Sequence, residues 1–575
     1  MEPVEGLRFR SEFGLDLAFE RSRNWSQQYE WGVKQNPESH LFEGSFERVD
    51  WLWDNTLTYD LNLDMHRITL LTGISAQSSS NKFIGATGQE FVSDIANQLD
   101  NIQSNQSVFG STTEHGLLSY MGRINYDYQS RYLLTATARY DGSSRFGENY
   151  RYGFFPSASA AWRISNEPFM PNWTFLDDLK IRAGYGVTGN QEAIPAFGYV
   201  ALLNPTFRYT FGNETVPAVV PENYPNQSLR WEQVIQSNIG VDVILFNGRL
   251  DFTAEYYIRD TEDMLLTSPI PITSGFYDFG HPMLNVGAIR NKGYEFSVNT
   301  INDLGGMQWT SNFNISFNDN EIQRLSGIDG DDPIPGGEVA FGRFATRLEV
   351  GQPIGAFYGF VTDGIFQNED EVDEHAVQSS GTNPATSTAP GDIRFKDLNG
   401  DGVINDDDRT FIGNPNPDFF FGWTNDFYYR NFDLSVFVQG TYGNDIYNVN
   451  RMRGEQMAVA RNQWATTLDR WSGEGTSNTI PRATTNDPND NSRVSDRYIE
   501  DGSYLRIKNI TLGYSLPVSM LDRIGFRQLR IYGSVQNLYT LTNYTGFDPE
   551  VGLSGMDNSV YPQSRIITTG INIGF

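Results

Sequence analysis

From Leu7 to Phe19 the chain alternates with a period of two: Leu7, Phe9, Phe13, Leu15, Leu17 and Phe19 share one face, while Arg8, Arg10, Glu12 and Asp16 share the other. A two-residue period belongs to an extended strand. At ~3.3 Å per residue and a tilt near 45°, a strand of this length covers roughly the ~30 Å of a membrane's hydrocarbon core, and strands of soluble proteins are about half as long. The pattern returns at 51–63, 68–76, 118–128, 132–140, 154–164, 179–187, 238–246 and 250–258. It continues at 287–298, 309–317, 341–350, 354–361, 419–429, 432–440, 505–514 and 529–535, and closes with the terminal strand. The expectation is about eighteen strands, with edges placed to two to four residues.

The terminal strand carries Ile567, Ile571, Ile573 and Phe575 on one face and ends the chain on an aromatic residue. That is the form of the closing strand of an outer-membrane β-barrel. Ile571, Ile573 and Phe575 are therefore the candidate signal by which barrel assembly machinery inserts the chain. No stretch approaches the ~18 uninterrupted apolar residues of a spanning helix, which excludes helical passage. Hydrophobic residues make up 39% of the chain and mean hydropathy is -0.45, as fits a wall in which only every second residue meets lipid.

The connections alternate in length, as they do in barrels with short periplasmic turns and long outer loops. Short ones are expected at 64–67, 129–131, 247–249, 301–306, 351–353, 430–431 and 516–526. Long ones are expected at about 20–50, 77–117, 188–237, 259–285, 318–340, 362–418, 441–503 and 538–564. Two breaks interrupt the rhythm: 165–178 is long for a turn and 141–153 is short for a loop. Trp51, Trp53, Trp162, Trp309 and Tyr428 lie near strand ends, where amphipathic rings settle at headgroup depth.

A net charge of -29, from 42 basic and 71 acidic residues, argues against a nucleic-acid partner. Cysteine is absent, in keeping with an oxidising compartment. The start, Met1-Glu2-Pro3-Val4-Glu5, has neither the basic nor the apolar part of an export signal. For an outer-membrane protein this leaves the beginning elsewhere. An open sheet would leave two edges of unpaired N–H and C=O groups in hydrocarbon, so either these strands close or strands upstream complete a larger barrel.

Several segments resemble the SusC/RagA-like TonB-dependent outer-membrane transporters. They are Arg139-Tyr140-Asp141-Gly142-Ser143-Ser144-Arg145-Phe146-Gly147, Phe155-Pro156-Ser157, Thr188-Gly189-Asn190-Gln191, Asn238-Ile239-Gly240, Asn291-Lys292-Gly293-Tyr294-Glu295 and 397–402. Tyr504-Leu505-Arg506-Ile507-Lys508-Asn509 and Gly546-Phe547-Asp548-Pro549-Glu550 complete the set. The resemblance implies an all-β, antiparallel transmembrane barrel, a plug, a box that contacts the TonB complex, and a SusD-like surface lipoprotein that captures oligosaccharide or peptide. It implies 22 strands in the whole barrel, of which residues 1–575 supply the C-terminal portion, with roughly four strands and the plug absent.

Asp397, Asn399, Asp401, Val403, Asn405 and Asp408 follow the spacing of a calcium loop. Side-chain oxygens stand at positions 1, 3 and 5, Gly402 at 6, a main-chain carbonyl at 7 and a carboxylate at 12. Asp replaces the usual Glu at position twelve, which shortens its reach. The competing reading is a hydrogen-bonded acidic turn. A calcium ion here would be structural, and no organic cofactor is expected.

The five histidines lack metal-ligand spacing, and neither a G-x-S-x-G elbow nor a phosphate-binding G-x-x-x-x-G-K-[ST] is present. No catalytic residue is assigned. Tyr442, Tyr447, Trp464 and Trp471 are candidate stacking faces for sugar rings, against the alternative of packing within a folded loop. The leading expectation is a nutrient-importer barrel taking up oligosaccharide or peptide with energy from TonB. The alternatives are a passive porin-like channel with Arg139, Lys180 and Arg182 towards the lumen, and a secreted calcium-dependent glycan-binding β-protein.

Overall fold

The computed structural model describes residues 4–91, 93, 95, 97–171, 173–267, 282–325, 332–339, 342–379, 387–521 and 526–575. Parts of the connections expected at 77–117, 165–178, 259–285, 318–340, 362–418 and 516–526, the first residue of the strand expected at 341–350, and His281 lie outside the described residues.

Among the described residues sixteen long strands follow one another in chain order in one sheet, and the first six and the last seven of them pair with their neighbours antiparallel. They are β1 (Leu7–Ser26), β2 (His40–Leu63), β3 (His66–Phe91), β4 (Ile102–Tyr128), β5 (Tyr132–Ser143), β6 (Tyr152–Arg163), β7 (Leu176–Asn190) and β8 (Glu232–Leu245). Then come β9 (Leu250–Thr267), β10 (Met283–Leu304), β11 (Met307–Arg324), β12 (Phe419–Tyr429), β13 (Phe432–Tyr442), β14 (Tyr504–Ser515), β15 (Gln528–Thr542) and β16 (Ile566–Gly574). No described helix is long and apolar enough to cross a membrane.

The count of eighteen is corrected to sixteen in this sheet. The segments expected at 341–350 and 354–361 become Phe344–Leu348 and Phe357–Gly359, which pair with Ile334–Glu338 and Thr410–Gly413 in a separate four-stranded sheet. The reason is that a period of two reports one buried face without saying what buries it. Ala345 and Phe357 are covered by a protein core that also holds Tyr447 and Val494. Strands of five and three residues are also too short to cross a bilayer. With these two removed, the expected connections 318–340, 351–353 and 362–418 merge into one between β11 and β12.

A second difference lies near the amino terminus. The connections expected at 20–50 and 77–117 are largely strand: β1 runs on to Ser26, β2 begins at His40, β3 reaches Phe91 and β4 begins at Ile102. Polar residues on both faces of these extensions conceal the period of two. The tight turns are where the sequence places them, with Gln129 and Ser130 both at positive φ, and Gly305 and Gly306 at 60° and 98°. Two consecutive positive φ values match the twist of a hairpin, and glycine reaches them without strain.

The chain divides into two compact units, 1–162 with 182–237 and 261–286, and 163–181 with 238–260 and 287–575. In the first, the long strands set a more apolar face against a more polar one: on β5, Tyr132, Leu134, Ala136, Ala138 and Tyr140 alternate with Leu133, Thr135, Thr137, Arg139 and Asp141. At the turn end of this unit the rings of His66, Tyr128 and Tyr132 pack in sequence, 4.9 and 6.2 Å between centroids. At the loop end Phe146, Phe155, Ile194, Leu229 and Trp231 form a small core. Three motif segments meet there: Trp231 packs on Phe146 and Phe155 at 4.8 and 5.3 Å, and an added Cβ on Gly189 would collide with the Phe155 ring. Their service is packing.

In the second unit the connections after β11, β13 and β15 fold into a body with its own cores. One gathers Ala345, Phe357, Tyr447, Val449, Met452, Val494 and Tyr498; another gathers Phe360, Ile393, Phe395 and Ile404.

Candidate functional site

The loop body is held by buried polar groups, which persist in a core only when their partners are present. Asp392 is fully buried and takes a bidentate pair from Arg482, Nε to Oδ1 at 2.8 Å and Nη2 to Oδ2 at 2.9 Å. Asn491 donates to the same Oδ1 at 2.9 Å. Arg493 lies over the rings of Phe360 and Phe395 at 4.8 and 4.4 Å, and burial pushes its guanidinium pKa down. These contacts join the connection after β11 to the one after β13.

Among the residues that hold the last connection, 543–565, is an arginine of β14. Arg506, on the polar face of β14 and 2% exposed, donates from Nη2 to Asp548 Oδ1 at 2.6 Å, from Nη1 to Glu550 Oε2 at 2.7 Å and from Nε to Thr540 Oγ1 at 2.8 Å. Gln439 and the Tyr504 hydroxyl donate to Glu550 Oε1 at 2.6 and 2.9 Å. Burial pushes the Asp548 carboxyl pKa up, but the main-chain N–H groups of Gln563 and Glu550 and the Arg506 guanidinium outweigh it and hold the carboxyl below the usual carboxylate range. Two motif segments, 504–509 and 546–550, are thus joined across 42 residues by an ion pair.

Beside this tether lies a polar cleft of about 560 Å³ lined by Lys508, Asn509, Gln536, Asn537, Tyr561 and Gln563, among others. Asn537 donates to the Ser564 carbonyl at 2.9 Å, and its buried Oδ1 has no hydrogen-bond partner. Side-chain amides both donate and accept, and Tyr561 presents an exposed ring. That inventory suits hydroxyl-bearing or amide-bearing ligands. Sequence reasoning missed this cleft, because its residues come from two strands and a loop that only the fold brings together.

The calcium-type loop is an ordered turn. Asp397 accepts from the N–H of Gly402 and of Gly400, at 2.9 and 2.6 Å, and the Gly402 bond is the main reason its carboxyl sits below the usual range. Asn399 accepts from the Asp401 N–H and Asp401 from the Val403 N–H, at 2.9 and 2.8 Å. Asp408 is fully buried and accepts from Leu398 and Asn405 N–H, at 2.8 and 2.9 Å, while Asn405 caps the short turn that contains it. Among the described residues no group of three or more His, Cys, Asp or Glu side chains is gathered as a metal set.

The four candidate stacking residues are not brought together as one surface. Tyr447 is removed from the set: it is fully buried in the loop core, where apolar neighbours surround it. Trp464 packs over Gly454, and Trp471 packs over Gly391 with its Nε1 donating to Gln367 Oε1 at 3.3 Å. Tyr442 is 56% exposed and stacks on Phe419 at 5.2 Å, on the apolar face of the sheet. Ile571 and Ile573 are exposed on one face of β16, and Phe575 lies edge-on to Phe526 at 5.4 Å. Lys180 pairs with Asp242 at 3.0 Å and Arg139 with Asp141 at 3.1 Å, each on the polar face of its strand.

The profile of the family described as TonB dependent receptor-like, beta-barrel, matches residues 5–377. The chain is 35% identical over its whole length to TonB-dependent receptor P3 of Formosa agariphila, of which it spans 57%. It is 31% identical, over 80% of its length, to TonB-dependent receptor SusC of Bacteroides thetaiotaomicron, spanning 44% of that protein. A solved structure of the RagAB peptide transporter superposes on the whole chain with a TM-score of 0.85 at 24% identity, the chain covering 61% of it. The chain therefore spans about half to three fifths of the length of these relatives.

Proposed function

Because this chain belongs to the TonB-dependent receptor β-barrel family, we propose that it forms the barrel portion of an outer-membrane importer that takes up oligosaccharide or peptide with energy from TonB. It is an antiparallel β-barrel protein of the SusC/RagA type, in the outer membrane of a Gram-negative bacterium. The secreted glycan-binding reading falls with that location. A SusD-like surface lipoprotein is the proposed partner that delivers the nutrient, supported by the likeness to SusC and to the RagAB complex.

The observation that carries the reading is the polar cleft beside the Arg506 tether. An importer needs a weak, fixed binding surface on the polar face of its wall, made of groups that match hydroxyls or amides. Rings such as Tyr561 add apolar contact to such a surface. The tether supplies the rigidity, since a ligand gains little from a loop it must first order.

The test is uptake of labelled oligosaccharides and peptides by cells that carry the complete protein, with and without a functional TonB complex. Uptake that ceases without TonB supports the importer. Uptake that persists, together with steady conductance in planar bilayers, shows the porin-like channel. Calcium at 397–408 remains a proposal resting on residue spacing, and calorimetric titration that gives no heat removes it.

A further inference from the structure

Arg145, in the motif 139–147, lies largely buried at the loop end of the first unit, next to Phe146 of the small core. Its Nη1 donates to the Ile194 carbonyl at 2.7 Å and, over longer contacts of 3.4 Å each, to the carbonyls of Gln191 and Glu192. Those carbonyls open the connection 191–231 between β7 and β8. One guanidinium arm thus ties the start of that connection to the segment that follows β5.

The other arm meets a histidine of β4. Arg145 Nη2 stands 3.4 Å from His115 Nε2. Arginine can only donate, so this nitrogen accepts, which requires a neutral imidazole with its proton on Nδ1. Main chain keeps the pair together: the Ser144 N–H donates to the Gly116 carbonyl at 3.0 Å, and the Gly116 N–H donates to Ser144 Oγ at 2.9 Å. A proton on His115 therefore turns a hydrogen bond into two cations pinned side by side. The long guanidinium side chain is the part that can yield, and in leaving His115 it leaves Ile194.

The charges around His115 are few. Its rung of the sheet carries Ser79 of β3 and Asp50 of β2, and from the connection Glu192 reaches to 3.7 Å from Arg145. The two carboxylates favour an imidazolium, but burial and then the Arg145 charge outweigh them and hold the imidazole below its ordinary value of about 6.5. The hold on the connection is thus complete above about pH 6.5 and is lost as pH falls through the lower folded-state value. From Tyr128 at the turn end to His115 is roughly 43 Å of strand, about 30 Å once tilt is allowed for, past the ~25 Å apolar band of such barrels. The histidine stands in reach of water.

We propose that His115 and Arg145 form an acid-released latch on the connection 191–231. Neutral His115 keeps the guanidinium on the Ile194 carbonyl, and protonated His115 expels it. The connection gains freedom in mildly acid surroundings while the strands beneath it stay paired. This regulation does not depend on which nutrient is carried.

The test uses the purified full chain in detergent with Ala193→Cys, an exposed position beside the latch, carrying a nitroxide whose mobility is read by electron paramagnetic resonance. Its mobile fraction is expected to grow at least about twofold from about pH 7.5 to about pH 5. In His115→Gln, whose amide oxygen accepts from Arg145 without taking up a charge, the fraction is expected to stay low throughout. In Arg145→Gln it is expected to be high throughout. A second label at Val108→Cys on β4 is expected not to respond. No growth in the parent chain overturns the proposal, and so does an equal response in His115→Gln or at both labels. A response that survives His115→Gln but disappears in Glu192→Gln assigns the acid sensitivity to that carboxylate and overturns it too. Assembly of each variant is checked by heat-modifiable migration, and His115→Asn stands in if the glutamine variant fails to assemble.

Discussion

The first four strands and the strands that follow β11 obey the same alternation and dispose of their surplus length in opposite ways. β1 to β4 run for 20, 24, 26 and 27 residues and carry their excess as continued strand, with exposed residues such as Ile84, Val108 and Phe109 beyond the apolar band. β12, β13 and β14 stop at 11, 11 and 12 residues, and the chain between them folds into a body with cores around Phe357 and Phe395. The lesson is that alternation fixes which face meets lipid, while burial of residues outside the membrane is decided separately. In the first region main-chain pairing supplies the order. In the second, apolar cores and buried ion pairs supply it.

This contrast predicts where substitutions hurt. The largest effect is expected at Arg506→Ala, which leaves Asp548 and Glu550 without their main cation. Removing one partner of a buried pair costs about 3–5 kcal/mol. The outcome is read as a lowered unfolding temperature in detergent and new proteolytic cuts within 543–565. An unaltered cleavage pattern would mean that the loop does not depend on the tether.

Next comes Ala136→Arg. Ala136 lies on the apolar face of β5 between Tyr132 and Tyr140. A charge at the bilayer midplane costs roughly 2–4 kcal/mol, so insertion into vesicles is expected to fall sharply, whereas Thr135→Arg on the polar face inserts normally.

Much of this was legible in the sequence, and the reasons for the rest are physical. Face assignment along β5, β11 and β16 followed from side chains alone, because lipid demands apolar groups at every second position. The segments at 344–348 and 357–359 misled, because a protein core makes the same demand of Ala345 and Phe357. The extensions of β2 and β3 were hidden, since nothing outside the membrane enforces a period there. Of the site, Arg506 and Asp548 stood in segments that drew attention, but their pairing spans 42 residues and leaves no local trace. Tyr447 looked like a binding ring because sequence shows polar neighbours and not the core that covers it.

A smaller effect concerns pH. The Asp548 carboxyl is held below its ordinary value, so it contributes stability above the unfolded-state pKa of about 3.9 and loses it as pH falls through the folded-state value. Protease sensitivity of 543–565 is expected to rise below about pH 4 while the extended hairpin of β3 and β4 stays resistant. Equal loss in both regions would erase the contrast. The smallest change is expected at Val108→Thr on that hairpin: the residue is highly exposed, and the shift in stability should stay within about 0.5 kcal/mol.

The most direct test of the central claim uses the absence of cysteine. Single cysteines placed in turn at positions 133 to 139 of β5 carry a fluorophore, in the protein reconstituted into vesicles. Quenching by a lipid-dissolved nitroxide is expected at 134, 136 and 138 and by a water-soluble quencher at 133, 135, 137 and 139. Quenching that does not alternate along this strand would contradict the assignment of every second side chain to lipid.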